Sequence, residues 1–243
     1  MSMTREVIQK PLEYVDVKYE PEHKELFENR YIRLYRATIK PGGKTLYHRH
    51  TEDTVYVVIH GGVIGTQVVG SNRYSMEFPK SFGILKKVSW GIRNLLTGYI
   101  LMPDSFFFVM RHKSLPVVHR AAASSENSKD IIMIGAEIKT TAGKPVQIAL
   151  DRDNYKKEFE TDHFAILKLK LRPGESTGLQ VCQLPSLIVT CCEVLYEITN
   201  GSATHITGKL TSGGFLWSEC GESISISNKG QLDATAYFII IKE

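Results

Sequence analysis

The chain has 243 residues, 42% of them hydrophobic and 23% charged, with a formal net charge of +4. That balance excludes a disordered chain and suits one large domain or two smaller ones, each long enough to own a core. No apolar run approaches the ~20 residues that cross a bilayer, and the positive charge is dispersed instead of forming a basic stripe, so neither a membrane nor a nucleic acid is expected as a partner. The first twenty residues, MSMTREVIQKPLEYVDVKYE, lack the apolar segment of a secretory signal, and the expected compartment is cytoplasmic. Cys182, Cys191, Cys192 and Cys220 lack the paired spacing of a zinc site and the density of a disulfide scaffold, so they read as reduced, mostly buried thiols.

In chain order, Glu20 to Glu28 is the best helical candidate, a turn of helix or a charged loop. Tyr31 to Ile39 is rich in β-branched, aromatic and leucine residues and closes on Pro41-Gly42, the pattern of a strand ended by a turn. His48 and His50 follow, two residues apart. On a strand such spacing places both imidazoles on one face, and Glu52 keeps the same parity. Thr54 to Ile59 is apolar on both faces, as expected of a strand buried between two sheets. Gly61-Gly62 and Gly70-Ser71-Asn72 read as turns. The stretch HRAAASSENSKD, 119–130, is small and polar and reads as a linker. Ile131 to Leu150 is then expected to lead the second half as Val7 to Lys18 leads the first. Phe164 to Leu171 is a second strand closed by Pro173-Gly174, and Asn200-Gly201 and Gly213-Gly214 mark further turns.

These parallels are an internal repeat. FENRYIRLYRATIKPGGKTL from Phe27 falls on FETDHFAILKLKLRPGESTG from Phe159, an offset of 132. SFGILKKVSWGIRNLLTG from Ser81 meets TSGGFLWSECGESISISN from Thr211 at an offset of 130, and SFFFVMRHK from Ser105 meets TAYFIIIKE from Thr235 at the same offset. The expected organisation is an N-terminal unit over 1–118, the linker over 119–130 and a C-terminal unit over 131–243. Each unit is a set of short strands, and the whole chain is predicted to be all-β, a sandwich or barrel repeated in tandem.

PGGKTLYHRHTEDTVYVVIHG resembles the first motif of the cupin superfamily, with Gly42, His48, His50 and Gly61 on the pattern, and GILKKVSWGIRNLLTG resembles the second, with Gly83 and Gly91 in frame. Because both recur in degenerate form after Gly174 and Gly213, the chain resembles a bicupin, which implies two tandem jelly-roll barrels. The resemblance further implies one divalent transition metal (Fe, Mn, Zn, Ni or Cu) in the N-terminal barrel, held by His48 and His50, with Glu52 and Asn94 able to substitute for the family's further ligands. Thr54 stands where the motif usually has glutamate, and Asn94 where the second motif usually has histidine. Glu52 is then the candidate acid/base and Asn94 a candidate substrate contact, while His119 can supply a ligand from a crossing segment. In the second copy the corresponding positions are Gln180, Cys182, Ser186 and Ile224, and no metal is expected there. The implied function is a metal-dependent oxidoreductase or isomerase acting on a small polar molecule, as monomer or homodimer; the alternative is metal-free ligand binding or a structural role.

Overall fold

A computed structural model of the protein describes residues 13–71, 99–114, 116–140, 154–200 and 204–242. In the N-terminal half the strands are β1 (Val15–Asp16), β2 (His23–Glu28), β3 (Ile32–Ile39), β4 (His48–His50), β5 (Asp53–His60), β6 (Gly62–Val68), β7 (Tyr99–Met102), β8 (Phe106–Met110), β9 (Val117–Ala123) and β10 (Ile131–Ile138). In the C-terminal half they are β11 (Tyr155–Glu160), β12 (Phe164–Leu171), β13 (Gln180–Val181), β14 (Ser186–Thr190), β15 (Val194–Asn200), β16 (Thr204–Leu210), β17 (Phe215–Ser218), β18 (Ser223–Ser227) and β19 (Ala234–Ile241). The first half forms the sheets β1-β4-β9-β6-β7 and β2-β3-β10-β5-β8, and the second forms β11-β12-β19-β14-β17 and β13-β18-β15-β16. These are two jelly-roll barrels in tandem, as the repeat predicts.

Strand parity explains three separate cores. Tyr35, Ala37 and Ile39 of β3 point into the N-terminal barrel with Tyr56 and Val58 of β5 and Met133 of β10. The alternate residues Ile32, Leu34, Val55, Val57, Ile134 and Ala136 point the other way and meet Phe164, Ile166, Leu187, Val189 and Ile239 of the second half. Leu167, Leu169, Ile188 and Phe238 fill the C-terminal barrel. The inner strands β5, β10, β14 and β19 of the two sheets that face each other are thus buried on both faces, which is why they read as largely apolar runs. The Pro-Gly turns hold as well: Gly42 has φ +73° and the Gly43 amide donates to Lys40 O at 2.7 Å, the left-handed position that glycine favours in a type II turn.

Three expectations are corrected. Glu20 to Glu28 is not helical: a single 3-10 turn covers Val17–Tyr19, and His23–Glu28 is strand β2, paired antiparallel with β3. The stretch 119–130 is not a linker, because its first part completes β9, which pairs with β4 and β6. Nor does Ile131 to Ile138 lead the second half. As β10 it lies between β3 and β5 and closes the first barrel, so the N-terminal unit extends past residue 118 to this strand. The counterpart of β10 is β19 between β12 and β14. The final repeat pairing therefore changes: TAYFIIIKE matches β10, whereas SFFFVMRHK contains β8, an edge strand on β5 whose counterpart is β17 on β14.

Candidate metal centre

His48 and His50, at the ends of β4, are both buried inside the N-terminal barrel, 1% and 0% exposed. They are joined by His23, which heads β2, so that ligand nitrogens from the three rings all lie within 4.8 Å of one another. His119 of β9 is the direct cross-strand partner of His48, with ring centroids 4.8 Å apart. His112 stacks on His50 at 4.6 Å. Five of the chain's eight histidines therefore meet in one buried place, which is not a chance surface grouping.

A buried carboxylate orders two of these rings. Glu20, 2% exposed, takes the Nδ1 of His23 on one oxygen and accepts the Leu46 amide at 3.0 Å on the other. The Leu46 carbonyl in turn accepts from His48 Nδ1 at 2.9 Å. With both Nδ1 atoms committed to hydrogen bonds, the Nε2 lone pairs of His23 and His48 are the ones left for the cluster. Burial pushes the Glu20 carboxyl up, but the hydrogen bond and charge of His23 and the Leu46 amide outweigh it and hold it below its ordinary value.

A second carboxylate comes from β10. Glu137 is the cross-strand partner of Thr54, and residues so paired share a face of the sheet. Its Oε1 lies 3.5 Å from His50 Nδ1, and its other oxygen pairs with Arg33. Burial raises the Glu137 carboxyl despite the Arg33 guanidinium. The Tyr56 hydroxyl lies 3.4 Å from His50 Nε2 and 2.8 Å from the Tyr35 hydroxyl; burial raises both phenols, which stay protonated. Gly135 makes room for this pair, since a Cβ there would stand 2.5 Å from the Tyr35 ring. His23, His48 and His119 line a small cavity together with Met102, Phe108 and Met133.

The imidazoles fit a metal. Burial first, and neighbouring imidazoles second, lower His48 to about 4 and put His50 and His119 well below their ordinary value, so all three are neutral bases at pH 7. His50 Nδ1 and His119 Nδ1 are buried without a hydrogen-bond partner among the described residues, a costly state that a bound cation relieves.

The other expected ligands fare differently. The Glu52 carboxylate lies 3.0 Å from Lys113 Nζ and stands outside the histidine group. Asn94 falls outside the described residues. The register shows why it was the wrong position to compare with Ile224: Gln180 pairs with Ile224 as His48 pairs with His119. The offset is 132 up to β6, but it has dropped to 105 by β9, because 30 residues separate β6 from β7 and only three separate β15 from β16. His119 therefore occupies the position of the second motif's histidine. His23, Glu20 and Glu137 were missed outright; the only signal for His23 was its offset partner Tyr155, on the equivalent strand β11. His60, at the end of β5, is half-buried. All four cysteines are free, although only Cys191 is fully buried.

No family model and no curated protein matches the chain. Solved structures do. AerE from Microcystis aeruginosa superposes over 93% of this chain and 100% of its own, with a TM-score of 0.56 at 13% identity. Vicilin from Capsicum annuum covers 87% of this chain and 76% of its own, with a TM-score of 0.54 at 9% identity. Bacillus subtilis oxalate decarboxylase, a protein with Mn(II) centres, covers 91% and 75%, with a TM-score of 0.54 at 10% identity. At these identities the likeness is one of fold, and the fold is the tandem double barrel of a bicupin. Its N-terminal barrel carries a histidine triad capable of holding a metal. Among the described residues no helix is long and apolar enough to cross a membrane.

Proposed function

We propose that the N-terminal barrel holds one first-row divalent metal and that the protein is a metal-assisted enzyme, of oxidoreductase or isomerase type, acting on a small molecule with at least one polar group. The observation that carries this reading is the buried triad His23, His48 and His50, whose ligand atoms converge within 4.8 Å. His119 and Glu137 stand beside it as the further histidine and the carboxylate. A metal of the Fe, Mn, Zn, Ni or Cu series supplies Lewis acidity there, and the redox-active members can also exchange electrons.

The residues of the chain divide the remaining work. Glu20 orients His23 and His48, and Arg33 holds Glu137 in place beside His50. Glu137, its carboxyl raised by burial, is the group placed to hold or release a proton. The Tyr56 hydroxyl accepts from Tyr35, which leaves its own proton to donate. Met102, Phe108 and Met133 exclude water, and among the described residues of the cavity wall there is no Lys or Arg, which favours a substrate with an apolar body over a dianion.

Loading the untagged apoprotein with Co(II) tests this reading. Visible d–d absorption that changes when azide is added shows a bound metal with an exchangeable position, as an enzyme requires. No uptake of Co(II), or a spectrum indifferent to azide, contradicts it and favours imidazoles that hydrogen-bond a ligand directly.

A further inference from the structure

The C-terminal barrel contains a cavity of about 100 Å³ at the place where the N-terminal barrel gathers its histidines. Sheet register makes the comparison residue by residue. Ile224 pairs with Gln180 as His119 pairs with His48. Ile240 pairs with Ser186 and Ala165 as Glu137 pairs with Thr54 and Arg33. Tyr155 faces Leu169 as His23 faces Ala37. His23, His48, His119, Glu137 and Arg33 thus have neutral counterparts in the second barrel, and none of the described residues lining the cavity is Asp, Glu, Lys, Arg or His.

The polar groups that remain are largely committed to the protein itself. The Ser186 hydroxyl donates to Leu184 O at 2.9 Å, and the Thr177 hydroxyl donates to Gly178 O at 2.8 Å and accepts the Ile226 amide at 2.9 Å. Burial raises the Cys182 thiol, which stays protonated. The Gln180 carboxamide makes one bond, to Thr177 O at 3.2 Å, and keeps capacity for another partner. Val181, which lines the cavity, is 64% exposed, so an apolar side chain stands where the cavity meets solvent.

We propose that the C-terminal barrel is a binding site for an uncharged, ring-sized apolar molecule with a single hydrogen-bonding group, which meets the Gln180 carboxamide. A cavity of this order accepts a ring-sized molecule, its Leu167, Ile224, Ile226, Phe238 and Ile240 walls favour an apolar one, and the lack of a cationic partner penalises an anion. The site is separate from the metal centre and does not depend on it.

Indole, a neutral ring with one N–H, is the probe, and indole-3-acetate is its anionic counterpart. With isoleucine methyls labelled for NMR, indole is expected to shift Ile224, Ile226 and Ile240 saturably while Ile64 of the first barrel stays fixed. Indole-3-acetate is expected to bind at least about tenfold more weakly. The Cys182→Trp variant, which fills the space, is expected to lose the shifts, whereas His48→Ala/His50→Ala is expected to keep them. A measurement on the unaltered protein stands beside these variants: indole is expected to slow alkylation of Cys182 by iodoacetamide at least about fivefold and to leave the exposed Cys220 unprotected. Absence of saturable shifts at the three isoleucines, equal binding of the two probes, or unprotected Cys182 overturns the proposal.

Discussion

Glu137 lies directly across the β5–β10 ladder from Thr54, the position at which the first cupin motif usually carries its own glutamate. The carboxylate that β5 lacks is thus supplied by the adjacent strand, on the same face and 3.5 Å from His50. Arg33, the partner of Glu137 on the other side of β10, balances the buried charge. Removing one member of such a pair leaves the other uncompensated, so Arg33→Met is expected to destabilise the protein by about 3 kcal/mol. Arg33→Met/Glu137→Gln is expected to recover at least half of that loss in urea unfolding. Additive losses in the double variant would show that the two side chains do not act as a pair.

Glu20 touches no cavity space of its own, yet it fixes His23 directly and His48 through Leu46. Carboxylates that orient a ligating histidine typically contribute 10- to 100-fold to metal affinity, and Glu20→Gln is expected to weaken Co(II) binding by about that factor. Competition against a chromophoric chelator measures it. Unchanged affinity with unchanged folding would remove Glu20 from the centre.

Both halves of that centre differ in how plainly the sequence announces them. The strand β5 was legible because burial on both faces leaves a nearly continuous apolar run, β3 and β12 because they are rich in β-branched, aromatic and leucine residues, and the Pro-Gly turns because glycine supplies the positive φ. His48 and His50 were legible because a two-residue spacing on a strand fixes their common face. His23 was not: it sits in EHKELFENR, where charge suggests a loop or helix, and only pairing with β3 turns it inward. Glu137 was hidden for a related reason, since β10 reaches its place by long-range pairing that local periodicity does not encode. His119 was legible only as a ligand from a crossing segment, because a repeat offset treated as constant hides its equivalence to Ile224.

Acid should unfold the metal-free protein early. His48 titrates at about 4 in the fold against an ordinary 6.5, and His50 and His119 also lie well below that value, burial being the main cause. Between those limits the unfolded chain binds protons that the folded chain refuses, so stability rises with pH and is lost as pH falls. Scanning calorimetry of apoprotein is expected to show a thermal midpoint at least about 5 °C lower at pH 5 than at pH 7. Saturation with metal before acidification should delay the loss. A flat profile would mean that these rings are not neutral and buried.

The two barrels share one core. Phe164, Ile166 and Ile239 pack on Ile32, Leu34 and Val57, the Tyr237 hydroxyl donates to Ser105 O at 2.8 Å, and Trp217 stacks on Tyr31 at 5.6 Å. Phe164→Ala is expected to cost about 3–5 kcal/mol and to lower both halves together. Circular dichroism and tryptophan fluorescence should follow a single denaturant transition. Two separated transitions would show barrels that fold independently.

The metal content of the purified protein tests the central claim most directly. Elemental analysis of untagged protein should find one first-row transition metal per chain, and the same preparation of His48→Ala/His50→Ala should find none. Substoichiometric metal in the unaltered protein, or equal metal in both, would contradict a metal centre built on these histidines.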